Sequence, residues 1–534
     1  MGIRRWIGNS ICLAALALPL FAQVNVLTYQ GDNSRAGAYL NETILTPSNV
    51  NAKQFGKIFQ HSVDGQVYAQ PLIQTAVAVA GRGTHNVVFV ATEHDTVYAF
   101  DADSAAGLNA EALWQVNFSD PANGVVPVPA SDYLRCPAVV PEIGITGTPV
   151  IDAAAGTLYV VAMTKETKGQ AVEYVYRLHA LDVTNGKERA GSPVKIEASI
   201  AGTGDENDKV VFNARKQKQR PGLLLLNGVV YTAWGSQCER LETYHGWLLG
   251  YDAKTLKQVA VFNTSPDGTE ASIWESGAAP AADADANVYL VTGNGSFNHA
   301  TGGRNLGEAY LKLSTRRGMA LDDYFTPFNY VRLNRHDIDL GSSGVAVLPD
   351  DAGSKEHPHL LVGSGKEGRI YLLDRDHLGG FHEVSDSQIV QSVEGGVTSL
   401  FGKPAYFHHS LYFCGSGDPL KQLTITDAKI NPAPTSQTKT EFNYPGCQPV
   451  VSANGDADGI VWLLEAAGIL HAYDASNVAK ELYNSGEDAG RDALGEFVKF
   501  SVPTIANGKV YAGTANSLAV YGLLPQPSSA GRPK

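Results

Sequence analysis

Apolar positions in this chain fall into short runs of about five to seven residues, each bounded by Gly, Asn, Asp or Pro. Two runs recur as a unit: an apolar block containing or following Pro, a turn, then an apolar block containing an aromatic. GITGTPVIDAAAGTLYVVA from Gly144, FGKPAYFHHSLYFCGSG from Phe401 and SVPTIANGKVYAGTANS from Ser501 are examples. A third run usually follows, as in VYAFDAD, WLLGYDA, IYLLDRD and LHAYDAS. Val, Tyr, Leu and Ile between turn residues predict strands joined by hairpins, and no stretch sustains the 3.6-residue period of a helix. The unit appears about eight times. Repetition of this kind predicts an all-β fold, an eight-bladed β-propeller with four-stranded antiparallel blades. Asp101, Asp182, Asp252, Asp374 and Asp474 follow the third runs at irregular intervals, so insertions sit between blades. The stretch from Val24 to Asp64 precedes the first copy and is expected to supply a strand that closes the ring.

In such a ring the turn after each second strand, and the segment leading into each first strand, lie on one face near the axis. Read in order, those turns carry Glu93-His94-Asp95, Lys165, Gln237-Cys238-Glu239, Asn294, Lys366, Asp418, Glu465 and Asn516. The lead-in segments add Glu142, Arg220, Glu275, Asp337 and Asp339. A polar ring of mixed sign suits a small anionic ligand with a bound cation. Within it, Gly363-Ser-Gly365-Lys-Glu-Gly368 fits the G-x-G-x-x-G pattern of dinucleotide sites. That loop holds phosphate only where it opens a helix. Here a strand ends at Val362 and another begins at Arg369, so a strand-to-strand turn is expected instead.

The first residues, MGIRRWIGNSICLAALALPLFAQ, carry Arg4 and Arg5, then an apolar run from about Ile11 to Phe21. This reads as a secretory leader, residues 1–22, too short to span a membrane. It is followed by a single propeller domain, 23–524, and a tail, 525–534, expected to be disordered. No later stretch is apolar enough to cross a membrane, so an exported protein, periplasmic or extracellular, is expected. Loss of Arg4 and Arg5 moves the formal charge from −13 to about −15, which disfavours nucleic acid and anionic membranes. Cys12 leaves with the leader. The remaining Cys136, Cys238, Cys414 and Cys447 suggest two disulfides in an oxidising compartment, with Cys136–Cys238 and Cys414–Cys447 the expected pairing of three.

With these stretches in view, the chain resembles the pyrroloquinoline quinone (PQQ) dehydrogenases, the quinoprotein alcohol dehydrogenase-like propellers. LTYQGDNSRAGAYLNETILTPSNVNAKQFGKIF looks like their opening segment. WGSQCERLETYHGWLLGYDAKTLKQVAVF resembles the stretch whose Glu binds calcium, VYLVTGNGSFN the stretch whose Asn is a second calcium ligand, and HDIDLGSSGVAVL the segment with the catalytic Asp. GKEGRIYLLDRD resembles the turn whose Lys or Arg contacts the quinone carbonyl. The resemblance implies a PQQ cofactor with Ca²⁺. Asp339, with Asp337 as the neighbour, would be the base, and Lys366 and Asn294 cofactor contacts. Glu239 (or Glu242), Asn294 and Asp339 would hold the metal. Arg220 and Glu142 join the cofactor-binding set from their place on the ring. The implied reaction takes an alcohol or sugar and hands electrons to a separate acceptor. The chain departs from that pattern in lacking adjacent cysteines, and SGAAPAAD stands where the family's stacking Trp is expected. A cofactor-free propeller that binds protein or glycan is the alternative, and a carbohydrate enzyme would need aromatic platforms beside a carboxylate pair.

Overall fold

In a computed structural model, which describes residues 23–525 except 134, 135, 137, 138 and 239–242, the chain is an eight-bladed propeller. The expected leader and nearly all of the tail lie outside the described residues. Blade 1 has strands Leu72–Val79, Gly83–Ala91, Thr96–Asp101 and Trp114–Asn117, paired antiparallel in that order. The same order recurs in blade 4 (Ala281–Ala282, Asn287–Val291, Tyr310–Ser314, Ala320–Phe325) and blade 5 (Ala346–Val347, Leu360–Gly363, Ile370–Asp374, Gln391–Val393). Blade 2 is built on Val150–Asp152, Thr157–Lys168 and Ala171–Asp182, blade 3 on Leu224–Leu226, Val229–Ser236, Trp247–Asp252 and Gln258–Asn263, blade 6 on Ala405–Phe407, Ser410–Phe413, Asp418–Thr426 and Ser436–Phe442, and blade 7 on Val450–Asn454, Ala457–Glu465, Ile469–Asp474 and Glu481–Asn484. Blade 8 closes the ring as expected. Phe55–Ser62 supplies its outer strand, paired with Ser517–Leu523.

Blades stack face to face, so middle strands are covered on both sides. Val87 to Ala91 are all buried, which explains continuous apolar runs rather than alternation. The recurring tyrosine of the second strand clasps the next blade. The hydroxyls of Tyr159, Tyr412 and Tyr511 donate to the carbonyls of Ala253, Ala475 and Ala102, each just after an anchor aspartate. Those aspartates hold the turn: Asp252 accepts from Thr255, and Asp474 from Ser476. Trp114 Nε1 donates to Val183 and its ring packs on Gly186, where a Cβ would lie 2.5 Å away. Both disulfides form with the expected pairing.

The first strand of each blade has an unpaired edge toward the axis, and residues 24–37 wind past all of them. Val26 exchanges both backbone hydrogen bonds with Ile73 of blade 1, and Ile151 of blade 2 donates to Leu27. Asn33 Nδ2 donates to Leu225 of blade 3. Ala282, Val347, Tyr406 and Val451 of blades 4 to 7 then donate to the carbonyls of Asn33, Ser34, Ala36 and Gly37. Asn507 in blade 8 holds both backbone groups of Val24. Arg35, fully buried, fixes this segment. It donates to Pro280, Tyr29, Asp32 and Leu223 carbonyls and to Thr28 Oγ1. Lys403 Nζ, also fully buried, donates to the Arg35 carbonyl.

Replacing Arg35 by Met keeps the bulk and removes every donor, leaving buried carbonyls unpaired. A loss of at least about 3 kcal/mol is expected, read as a lower thermal midpoint. In blade 7, buried His471 lies between Glu465 (2.9 Å) and Glu481 (2.7 Å). Burial alone would lower its pKa, but these carboxylates outweigh burial and raise it above 6.5. The fold therefore binds this proton more tightly than the unfolded chain does. The stabilisation is complete below about pH 6.5 and is lost as pH rises through the raised value. Thermal midpoints measured from pH 5.5 upward should show that His471→Gln removes part of the alkaline decline.

Candidate functional site

Three backbone segments meet on the face where the lead-in segments converge: Gly293-Asn294 after the second strand of blade 4, Asp339–Gly341 leading into blade 5, and Gly365-Lys366 after the second strand of blade 5. They touch main chain to main chain. A Cβ on Gly365 would lie 2.7 Å from the Leu340 carbonyl oxygen, and one on Gly341 2.6 Å from the Gly293 backbone nitrogen. This explains the glycines of the Gly363–Gly368 stretch without phosphate. It is a tight strand-to-strand turn that seats Lys366, as expected, and the strand Ile370–Asp374 follows it.

The side chains there form one hydrogen-bonded group. Lys366 Nζ lies 2.5 Å from Asp339 Oδ2 and 2.8 Å from Asp337 Oδ1, and it also donates to the Asp337 carbonyl. The Asn294 backbone N–H donates to Asp339 Oδ1 at 3.0 Å, and its Nδ2 to Asp337 Oδ1 at 3.1 Å. Asn294 Oδ1 is buried and has no partner. The two aspartates differ in exposure: the Asp339 side chain is 3% exposed, that of Asp337 65%. Burial would depress the Lys366 ammonium, but Asp339 first, then the bonds to Asp337 and Asp339, raise it, so it stays charged. Behind Asp339 lies Glu308, fully buried in a left-handed conformation, accepting from the Leu340 N–H. Burial and the Asp339 charge push Glu308 well above the usual carboxylate range, and push Glu270 up in the same way.

Aromatic rings stand beside this group on neighbouring lead-in segments. Trp274 meets Phe500 edge-on at 6.0 Å, Phe401 stacks on Phe500 at 6.3 Å, and Phe401 meets Tyr444 at 5.2 Å. The Leu400 N–H donates to the Gly365 carbonyl and Ser399 Oγ to the Lys366 carbonyl, which ties the Phe401 segment to the turn that carries Lys366. The Arg220 guanidinium lies over Tyr68 and Phe500, and Lys499 Nζ over Phe500 and Tyr444. Trp274 corrects the sequence reading: an indole does precede the Gly-Asn stretch, two residues before the SGAAPAAD segment that was taken as its place.

Of the predicted residues, Asp339, Asp337, Lys366 and Asn294 come together, while Arg220 sits on the aromatic side. Glu142 does not join them and is paired with His94 at 2.5 Å. Glu239 and its rival Glu242 lie outside the described residues. Other ring members are committed locally: Lys165 to Asp132, Asp418 to Lys421 and Glu465 to His471. Sequence reasoning missed Trp274, Phe401, Tyr444, Phe500, Lys499, Glu270 and Glu308. A signal existed for part of this set. Tyr68, Phe401 and Phe500 each stand three residues before the proline of their repeat, Pro71, Pro404 and Pro503.

Among the described residues no three His, Cys, Asp or Glu side chains are placed to hold a metal ion. The described residues offer aromatic rings, two cations with no ion-pair partner among the described residues and the orphaned Asn294 oxygen, a set whose chemistry suits a flat, anionic organic group.

No protein-family model matches the chain, and no curated protein matches it. Solved structures do. Quinohemoprotein alcohol dehydrogenase from Comamonas testosteroni superposes with a TM-score of 0.58 at 14% identity, over 96% of this chain and 82% of that one. A europium-containing methanol dehydrogenase gives a TM-score of 0.58 at 14% identity, over 93% of this chain and 98% of that one. The chain thus has the eight-bladed fold of the quinoprotein dehydrogenases.

The ion pair at the centre of the site is testable by a double-mutant cycle. Lys366→Met leaves the buried Asp339 charge unpaired and should cost about 3–5 kcal/mol, most of it recovered in Lys366→Met/Asp339→Asn. Denaturant unfolding of the four proteins measures the coupling.

Proposed function

We propose that this protein is an exported oxidoreductase of the quinoprotein type, which binds a PQQ-class cofactor in the aromatic funnel and oxidises an alcohol or sugar for a separate electron acceptor. The observation that carries the reading is the joining of Asp339, Lys366 and Asn294, with Trp274, Phe500 and two cations that have no carboxylate partner among the described residues on neighbouring segments. Bound there, the quinone would supply the two-electron acceptor that no side chain can.

The chain's own residues have separable tasks. Lys366 holds the buried Asp339 carboxylate in an ion pair, and that carboxylate is the group placed to take a hydroxyl proton from a substrate. Asp337 is the exposed partner, so an incoming ligand oxygen competes with it, not with Asp339, for an Nζ–H of Lys366. The Asn294 N–H orients Asp339, and its free Oδ1 is available to a donor. The aromatic wall excludes water and orients a planar ring. Calcium belongs to the proposal only through Asn294, Asp339 and Glu239 together, and no step above runs through it. Export rests on the leader-like residues 1–22 and the two disulfides. Among the described residues no helix is long and apolar enough to cross a membrane.

Titration of leader-free protein with PQQ, with and without Ca²⁺, tests the reading by calorimetry and quinone absorbance. Saturation near one per chain is expected, weakened at least about tenfold in Asn294→Ala and by loss of the Lys366 charge-assisted bond in Lys366→Met. A requirement for Ca²⁺ would support the three-residue metal set. No saturable binding would sink the quinoprotein reading and leave a cofactor-free propeller for protein or glycan.

A further inference from the structure

The opposite mouth of the ring holds a cavity that the Asp339 site does not use. In blades 4 to 7 the turns joining first to second strands lie on the face away from the lead-in segments. They wall a hollow of about 840 Å³, the size of a small-ligand site. Its floor is the axial segment. Asp32, Ser34, Ala36, Ala38 and Leu40 line it, every second residue of that stretch. The residues between them hold the ring: Asn33 bonds to blade 3, Arg35 donates to buried carbonyls, and the Tyr39 hydroxyl accepts from Gln70. Small side chains at 36 and 38 keep the floor low, and Leu40 is 45% exposed.

Charge on the lining is lopsided. Eight aspartates stand against one lysine and two arginines, and each of those cations is already held. Lys312 lies 3.1 Å from Asp322, Arg316 2.5 Å from Asp285 and Arg375 3.4 Å from Asp283. Asp32, Asp350 and Asp456 are all exposed and form no ion pair among the described residues. They stand on three separate segments, the axial floor, the blade 5 turn and the blade 7 turn, and so face one space from different sides. Among the described residues no three carboxylates converge tightly enough for a metal ion. The negative charge is instead spread around a cavity with an apolar strip along its floor, which suits an extended organic cation.

We propose that this cavity is a second ligand site, for a linear polyamine: two or more ammonium groups joined by an apolar chain. Asp32, Asp350 and Asp456 take the ammonium groups, and the methylene chain lies along Ala36, Ala38 and Leu40. The site is at the other end of the ring from Asp339, so it stands whether or not a quinone binds there. Lysine side chains of a peptide offer the same chemistry. A closed floor and walls from four blades favour a free small molecule, and the test separates the two sources.

Leader-free protein is titrated by calorimetry with spermidine, with hexaamminecobalt(III), which has the same triple charge and no chain, and with a blocked Lys-Ala-Lys-Ala-Lys peptide. The expected result is saturable spermidine binding near one per chain, weakened by salt and roughly tenfold or more tighter than hexaamminecobalt. Asp350→Asn/Asp456→Asn should weaken spermidine roughly tenfold or more and, both residues being exposed, melt like the parent. Ala36→Leu, which fills the floor without changing charge, should weaken spermidine and leave hexaamminecobalt as it was. Equal binding of the two trications would reduce the cavity to an acidic surface and overturn the site. Spermidine binding unchanged in the double variant would overturn it too. A peptide that binds more tightly than spermidine would overturn the free polyamine and give the cavity to a basic segment of a partner protein.

Discussion

A ring of blades leaves eight inner strand edges facing a narrow axis, and unpaired backbone groups in such a space cost free energy wherever water cannot reach them. Residues 24–37 meet that constraint for the whole ring by bonding to every blade in turn. Arg35 holds the segment in a tight loop by saturating carbonyls drawn from the segment itself and from blades 3 and 4. The outer strand Phe55–Ser62 then closes the last blade, so one continuous stretch near the start of the chain seals the ring from inside and outside.

The axial plug also explains where the site can be. With the axis filled, the lead-in segments lie over the plug, and each such segment has two jobs at a fixed register. The residue before the repeat's proline reaches inward: Gln70 to Tyr39 and the Pro503 carbonyl, Lys403 to the Arg35 carbonyl, and Gln448 to the Tyr29 hydroxyl. Two residues earlier, Tyr68, Phe401 and Phe500 turn to the funnel. Floor and wall are therefore built by the same short segments, and a substitution in one is felt by the other.

This division decides what the amino-acid sequence could disclose. Blades and the closing strand were legible because strand composition and turn residues recur visibly, from GTLYVVA to GKVYAGT. Asn294, Asp339 and Lys366 were legible because each sits in a short stretch with a recognisable shape. The winding of residues 24–37 was not, because most of its bonds run through carbonyls, which any side chain would leave in place. Trp274 escaped because the blade 4 lead-in runs three residues longer than the Tyr68, Phe401 and Phe500 segments before its proline, Pro280. Glu142 looked equivalent to the other ring members, yet His94 from the adjacent turn captures it, a contact no spacing rule reveals.

Charge adds a last constraint on what the funnel can take. The molecule carries a formal −13, so beyond about 8 Å of ionic screening it gives an anion no encouragement to approach. Near Phe500 the local charges are different, because Arg220 and Lys499 lie over aromatic rings while Asp339 is already held by Lys366. Selectivity for a charged ligand is then set by local desolvation and geometry and not by long-range steering. The same argument separates two kinds of lysine in one pocket. Lys366 is bound up in holding Asp339, so its removal damages the fold and any chemistry together. Lys499 has no carboxylate partner among the described residues, and its ammonium lies over the ring faces of Phe500 and Tyr444.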